Sequence, residues 1–108
     1  MNFSKTSKGS SLIITIKEEN LDIGNSVEFR EGLSKQVEEG KDNIILDMSN
    51  VNYIDSSGLG VLITFLKFNK DADRSLRLAN CKTKVRDTMK STKLDSEIPV
   101  FDSIDDAL

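Results

Sequence analysis

Tyr53-Ile54-Asp55-Ser56-Ser57-Gly58-Leu59-Gly60-Val61-Leu62 is the stretch on which the fold turns, because polar, hydroxyl and glycine residues sit where an apolar strand hands over to an apolar helix. From Gly58 to Phe68 only Gly58, Gly60, Thr64 and Lys67 are not apolar, so this helix is expected to bury most of its circumference. Just upstream, within Asn43 to Met48, the continuous run Ile44-Ile45-Leu46 suits a short central strand covered on both faces.

The same alternation continues outward from this core. Leu12, Ile14 and Ile16 alternate with Ile13, Thr15 and Lys17 in the period of a strand, a short second strand is expected around Leu21, and Gly24 turns the chain. Asn25 and Glu28 have capping-box spacing, and Phe29, Leu33 and Val37 follow on one helical face that ends at Gly40. Downstream, Leu76 and Leu78 mark a strand over Ser75 to Asn80, and Val85 and Met89 lie one turn apart within Lys82 to Ser91. Ile98-Pro99-Val100-Phe101 reads as an edge strand, and Ser103 caps a closing helix carrying Ile104, Ala107 and Leu108. Met1 to Gly9 is polar and unpatterned, which predicts a loose leader ahead of a single domain over residues 10–108. Strands alternating with helices predict an α/β fold, a sheet with helices packed on it.

Composition narrows the chemistry. A chain of 108 residues with 37% hydrophobic and 31% charged residues is one ordinary globular domain. A net charge of −3 lacks the basic footprint of a nucleic-acid binder, so protein partners are favoured. No apolar run approaches the roughly 20 residues that cross a bilayer, no secretion signal is legible, and the lone Cys81 cannot form an internal disulfide, so the cytoplasm is the expected location. There is no histidine, which removes the commonest general base and metal ligand. No catalytic residue, metal or cofactor is expected, and the chain is not read as an enzyme. Cys81 is read as a small, at least half-buried hydrophobe.

At the start of a helix the first four backbone N–H groups lack intrahelical partners, and Asp55, Ser56 and Ser57 are all able to cap them. Gly58 and Gly60 each cost roughly 1 kcal/mol of helix propensity relative to alanine and would admit another backbone closely. At about 100° per residue, Gly58, Leu59, Leu62, Phe65 and Leu66 gather on the core side, while Ser57, Gly60, Thr64 and Lys67 gather opposite, flanked by Val61, Phe68 and Ile63. A flat, glycine-lined, apolar wedge of this kind is a docking surface, for which Asp55, Ser57, Gly58, Gly60, Val61 and Thr64 are the candidate partner-binding residues. A hydroxyl at its edge suits a phosphate switch: the group adds roughly −1.5 to −2 charges, which a helix N-terminus tolerates and a covering partner does not. Residue chemistry alone leaves open which serine accepts it.

Asp47-Met48-Ser49-Asn50-Val51-Asn52-Tyr53-Ile54-Asp55-Ser56-Ser57-Gly58-Leu59-Gly60-Val61-Leu62 resembles the signature of the bacterial anti-sigma-factor antagonists of the STAS domain family. The likeness extends more weakly over roughly residues 10–108, including Leu21-Asp22, Leu76-Arg77-Leu78-Ala79-Asn80, Lys84-Val85-Arg86, Lys93-Leu94-Asp95 and Phe101-Asp102-Ser103-Ile104. It implies a four- to five-stranded mixed sheet with helices mainly on one side. It also implies a protein that, unphosphorylated, binds an anti-sigma factor, often itself a serine kinase, and so frees a sigma factor. In that family the first serine after the aspartate takes the phosphate, which maps onto Ser56. A metal-dependent serine phosphatase removes it, and the aspartate before the first helix, in the partner-contact region, maps onto Asp22. The expected assembly is a monomer or weak dimer. Two departures stand out: Glu18-Glu19-Asn20 and Asp71-Ala72-Asp73-Arg74 replace stretches where the family commonly has glycines.

Other chemistries fit less well. A nucleophile elbow needs Gly-x-Ser-x-Gly and a histidine, and neither is present. Leu62 and Ile63 occupy the positions where the third glycine of a dinucleotide fingerprint would fall. Asp47 reads better as a polar strand terminus than as an aspartyl-phosphate site. The serious alternative shares the fold: a structural or regulatory subunit of a lipid-transport or stress-sensing complex, with no serine phosphate.

Overall fold

The computed structural model describes residues 1–108 as a mixed α/β fold. The elements in chain order are β1 (Phe3–Lys8), β2 (Ser11–Ile16), β3 (Asn20–Leu21), α1 (Ser26–Gln36), β4 (Asn43–Asp47), β5 (Tyr53–Ile54), α2 (Ser56–Asp71), β6 (Ser75–Ala79), α3 (Thr83–Ser91), a 3-10 turn at Leu94–Ser96, β7 (Val100–Phe101) and α4 (Ile104–Ala107). Five strands form one sheet in the order β1-β2-β4-β6-β7, while β3 and β5 make a separate two-stranded ribbon. Only the β1–β2 pair is antiparallel; the other ladders of the main sheet are parallel.

The strand period decides which side chains meet which layer. Leu12, Ile14 and Ile16 of β2, Ile44 and Leu46 of β4, and Leu76 and Leu78 of β6 join the main core with Phe29 and Leu33 of α1, the apolar face of α2, and Val85 and Met89 of α3. The alternate residues Ile13, Ile45 and Ala79 form a smaller cluster on the opposite face, closed by Ala107 of α4. Two-sided cover explains why β4 reads as an unbroken apolar run.

The N-terminal segment differs from expectation. Residues 3–8 are an edge strand, not a loose leader, with Phe3 opposite Ile16 and Lys8 opposite Ser11 across a two-residue Gly9-Ser10 turn. Gly9 has φ +60°, which its missing Cβ allows. Phe3 is half-buried against α1, where a Cβ on Gly32 would lie 2.7 Å from its ring. Serines, lysines and a threonine fill the rest of the strand, since an edge has little to bury.

The first helix also departs from its expected ends. Asn25 precedes α1 without capping it; its side chain instead accepts from the Asp22 N–H at 3.0 Å and donates to the Asn20 carbonyl at 2.7 Å. Glu28 approaches the Met1 amino group at 3.5 Å, so the capping box does not form. The helix stops at Gln36, because Val37 is already extended, rather than at Gly40.

Candidate functional site

The decisive stretch folds as a strand-to-helix junction held by one carboxylate. Asp55 is the N-cap of α2: its Oδ1 accepts from the Ser57 N–H at 2.8 Å and the Gly58 N–H at 3.1 Å. Its Oδ2 accepts from the Ile23 N–H at 3.1 Å, which ties the loop between β3 and α1 to the start of α2. The backbone repeats the link, since the Asp55 N–H donates to the Leu21 carbonyl at 3.0 Å beside the Asn20–Tyr53 and Leu21–Ile54 pairs of the ribbon.

Ser56 opens α2 with an exposed side chain, and its hydroxyl makes no hydrogen bond within the chain. Ser57 is half-buried, while Gly60 and Thr64 are exposed on the outer face expected for them. Thr64 donates back to the Gly60 carbonyl at 3.0 Å, which occupies its hydroxyl locally. Half-buried Asp22 turns its Oδ1 onto the Gly24 N–H at 2.9 Å and shapes the same loop.

Two of the candidate partner-binding residues are inside. Gly58 is buried, and the backbone that approaches it is the chain's own: an added Cβ would lie 2.6 Å from the Leu21 carbonyl oxygen and 2.7 Å from Ile54 Cγ1. Val61, expected on an exposed flank, is 6% exposed because α1 packs beside α2 and covers it. Gly60 differs, since a Cβ there would meet nothing within 4 Å. No close approach within the chain requires that glycine.

Sequence reasoning missed the apolar rim. Ile23 is 76% exposed, Val27 54% and Tyr53 46%, and these belong to the three segments that meet around the start of α2. They are three of the five large hydrophobic residues left exposed, which makes the concentration at this end a feature of the surface. It also missed Arg30, which lies in hollows lined jointly by α1 and α2 and makes no ion pair. The spacing of Ser26, Arg30 and Ser34 at steps of four, off the Phe29–Leu33 core stripe, was the available signal.

Elsewhere the polar groups are engaged. Asp47, at the end of β4, accepts from Thr15 Oγ1 at 3.2 Å, the Ser49 N–H at 3.1 Å and Asn80 Nδ2 at 3.1 Å, as a polar strand terminus does. Cys81 is half-buried, and desolvation pushes its thiol from 9.0 up to about 11 against the lowering pull of Arg86. At pH 8 its alkylation by iodoacetamide is expected to run roughly a hundredfold slower than in the urea-unfolded chain, following the thiolate fraction. Equal rates in the two states would show an unprotected thiol. No helix is long and apolar enough to cross a membrane.

The STAS domain family model matches residues 2–107. The chain belongs to the STAS domain family. A Thermotoga maritima protein named "Putative anti-sigma factor antagonist" is 28% identical over 98 residues, spanning 90% of this chain and 87% of that protein. A crystal structure of the same description from Thermotoga maritima superposes with a TM-score of 0.83 at 25% identity, covering 97% of this chain and 90% of that one. The Bacillus anti-sigma factor antagonist SpoIIAA shares the fold in both of its forms. The unphosphorylated form gives a TM-score of 0.69 at 17% identity over 97% of this chain and 92% of SpoIIAA. The phosphorylated form gives 0.67 at 18% over 98% and 96%.

Proposed function

We propose that this STAS domain is an anti-sigma-factor antagonist that acts in the cytoplasm on transcription. Unphosphorylated, it binds an anti-sigma factor that is also a serine kinase and so frees a sigma factor; phosphorylation of Ser56 ends the binding. The observation that carries this is the free, exposed Ser56 hydroxyl at the head of a 16-residue helix, beside the outer face of Gly60 and Thr64 and the apolar rim of Ile23, Val27 and Tyr53. Kinship with proteins named as anti-sigma factor antagonists supports it, as does the existence of SpoIIAA in a phosphorylated form.

The chemistry is simple to state. The kinase transfers the γ-phosphoryl group of ATP to Ser56 Oγ, which loses its proton, and ADP leaves; a metal-dependent phosphatase hydrolyses the ester to restore the hydroxyl. The domain supplies an acceptor and a surface rather than catalytic groups. Asp22 and Asp55 hold the loop and the helix start in register, and Ser57, Gly60 and Thr64 offer the outer face itself. Gly58 and Val61 act from beneath, Gly58 by letting Leu21 pack close and Val61 by filling the space under α1.

The test is direct. With ATP and the anti-sigma serine kinases encoded in the same genome, the chain should gain one phosphate, located at Ser56 by fragmentation mass spectrometry, and Ser56→Ala should gain none. If no such kinase labels the chain, the switch is wrong and the structural-subunit alternative takes its place.

A further inference from the structure

Two adjoining hollows of about 290 and 310 Å³ run between α1 and α2 and share Arg30, Val61 and Thr64. Ser26 lies beside Ser57 and Gly60 in one, and Ser34 beside Phe65 and Phe68 in the other, so the two helices run side by side in the same direction. Ser26, Arg30 and Ser34 form one wall at steps of four, and Gly60, Thr64 and Phe68 form the other at the same steps. From Ser57 to Phe68 the groove extends about 16 Å, or three helical turns, beginning next to Ser56.

We propose that this groove receives an α-helix of the anti-sigma partner, with an apolar side chain over Gly60 and Val61 and one carboxylate on Arg30. Rows of side chains at steps of four on both walls are the ridges between which a third helix packs. Ser26, Ser34 and Thr64 keep the walls low, and the open space over Gly60 lets a helix approach the α2 backbone. Arg30 supplies the charge complementarity: it lines both hollows, and its guanidinium has neither an ion pair nor a hydrogen bond in the chain. Its planar fork matches a carboxylate in two parallel hydrogen bonds. Glu31 lines only the larger hollow, so the partner helix carries a neutral or basic residue at that end.

This inference rests on the antagonist reading above. The experiment uses the purified anti-sigma kinase from the same genome, with affinity measured by titration calorimetry in the absence of ATP. Arg30→Glu should weaken binding at least tenfold without moving the melting temperature, because the side chain is exposed and unpaired. Reversing a single helical carboxylate of the kinase to arginine should restore it. Binding of Arg30→Glu within twofold of the unaltered chain, while Ser56 is still labelled, overturns the groove and leaves the switch standing. A loss that no carboxylate reversal repairs also overturns it. If no such kinase binds the unaltered chain, the antagonist reading fails and the groove fails with it.

Discussion

Gly58→Ala is expected to destabilise the domain by about 2 kcal/mol, even though alanine is the better helix former. The new methyl group would sit 2.6 Å from the Leu21 carbonyl oxygen and 2.7 Å from Ile54 Cγ1. The carbonyl cannot retreat freely, because it accepts from the Asp55 N–H at 3.0 Å and belongs to the ribbon that sets the entry of α2. Relief therefore means parting β3 from the helix, at the cost of that hydrogen bond and of the packing of Leu21, which is fully buried. In a domain of this size the melting temperature should fall by roughly 10 °C. Gly60→Ala provides the contrast: its Cβ would meet nothing within 4 Å, and the helix should gain up to about 1 kcal/mol. Equal responses at the two positions in thermal unfolding would show that the approach of Leu21 is not what holds Gly58.

The two glycines also show what the sequence can and cannot reveal. Spacing placed both at the start of an apolar helix, Gly58 on the core side and Gly60 opposite, and flagged their cost, but it could not say what Gly58 is held against. That depends on where a strand distant in sequence crosses. Val61 was misplaced for the same reason, since helical periodicity orders a helix against one neighbour and α2 has two, the sheet and α1. The central strand and the core face of α2 were legible because burial dictates their residues. Residues 3–8 were not, since an edge strand with one partner has little apolar pattern to read, although Gly9-Ser10 is a recognisable two-residue hairpin turn. Ile23 and Val27 were missed because nothing within their own segments marks them, and Arg30 because its spacing with Ser26 and Ser34 reads by itself as an ordinary solvated helix face. They gain significance only when the Ile23 N–H to Asp55 link brings the loop and α1 up to the serines.

Ser56→Asp should reduce affinity for the anti-sigma partner at least tenfold, about 1.4 kcal/mol, with the fold intact. Stability should change little: an acid in the first turn of a helix gains roughly 0.3–1 kcal/mol from the helix dipole, and the like charge of the neighbouring Asp55 carboxylate opposes that gain. Binding is another matter, because three backbone donors at the junction are already committed. The Ser57, Gly58 and Ile23 N–H groups all point at Asp55, so an anion at position 56 finds no free backbone donor among them. It remains a solvated charge at the start of α2, at the end of the domain that exposes Ile23, Val27 and Tyr53, and a partner settling there must strip its water without offering a matched cation. Burial of the outer face then costs more than it returns, and the complex dissociates while the domain stays folded. Calorimetric affinity and thermal unfolding together decide the matter. Unchanged affinity would remove the switch from Ser56, and a collapse in melting temperature would mean that the substitution acts through the fold and not through the surface.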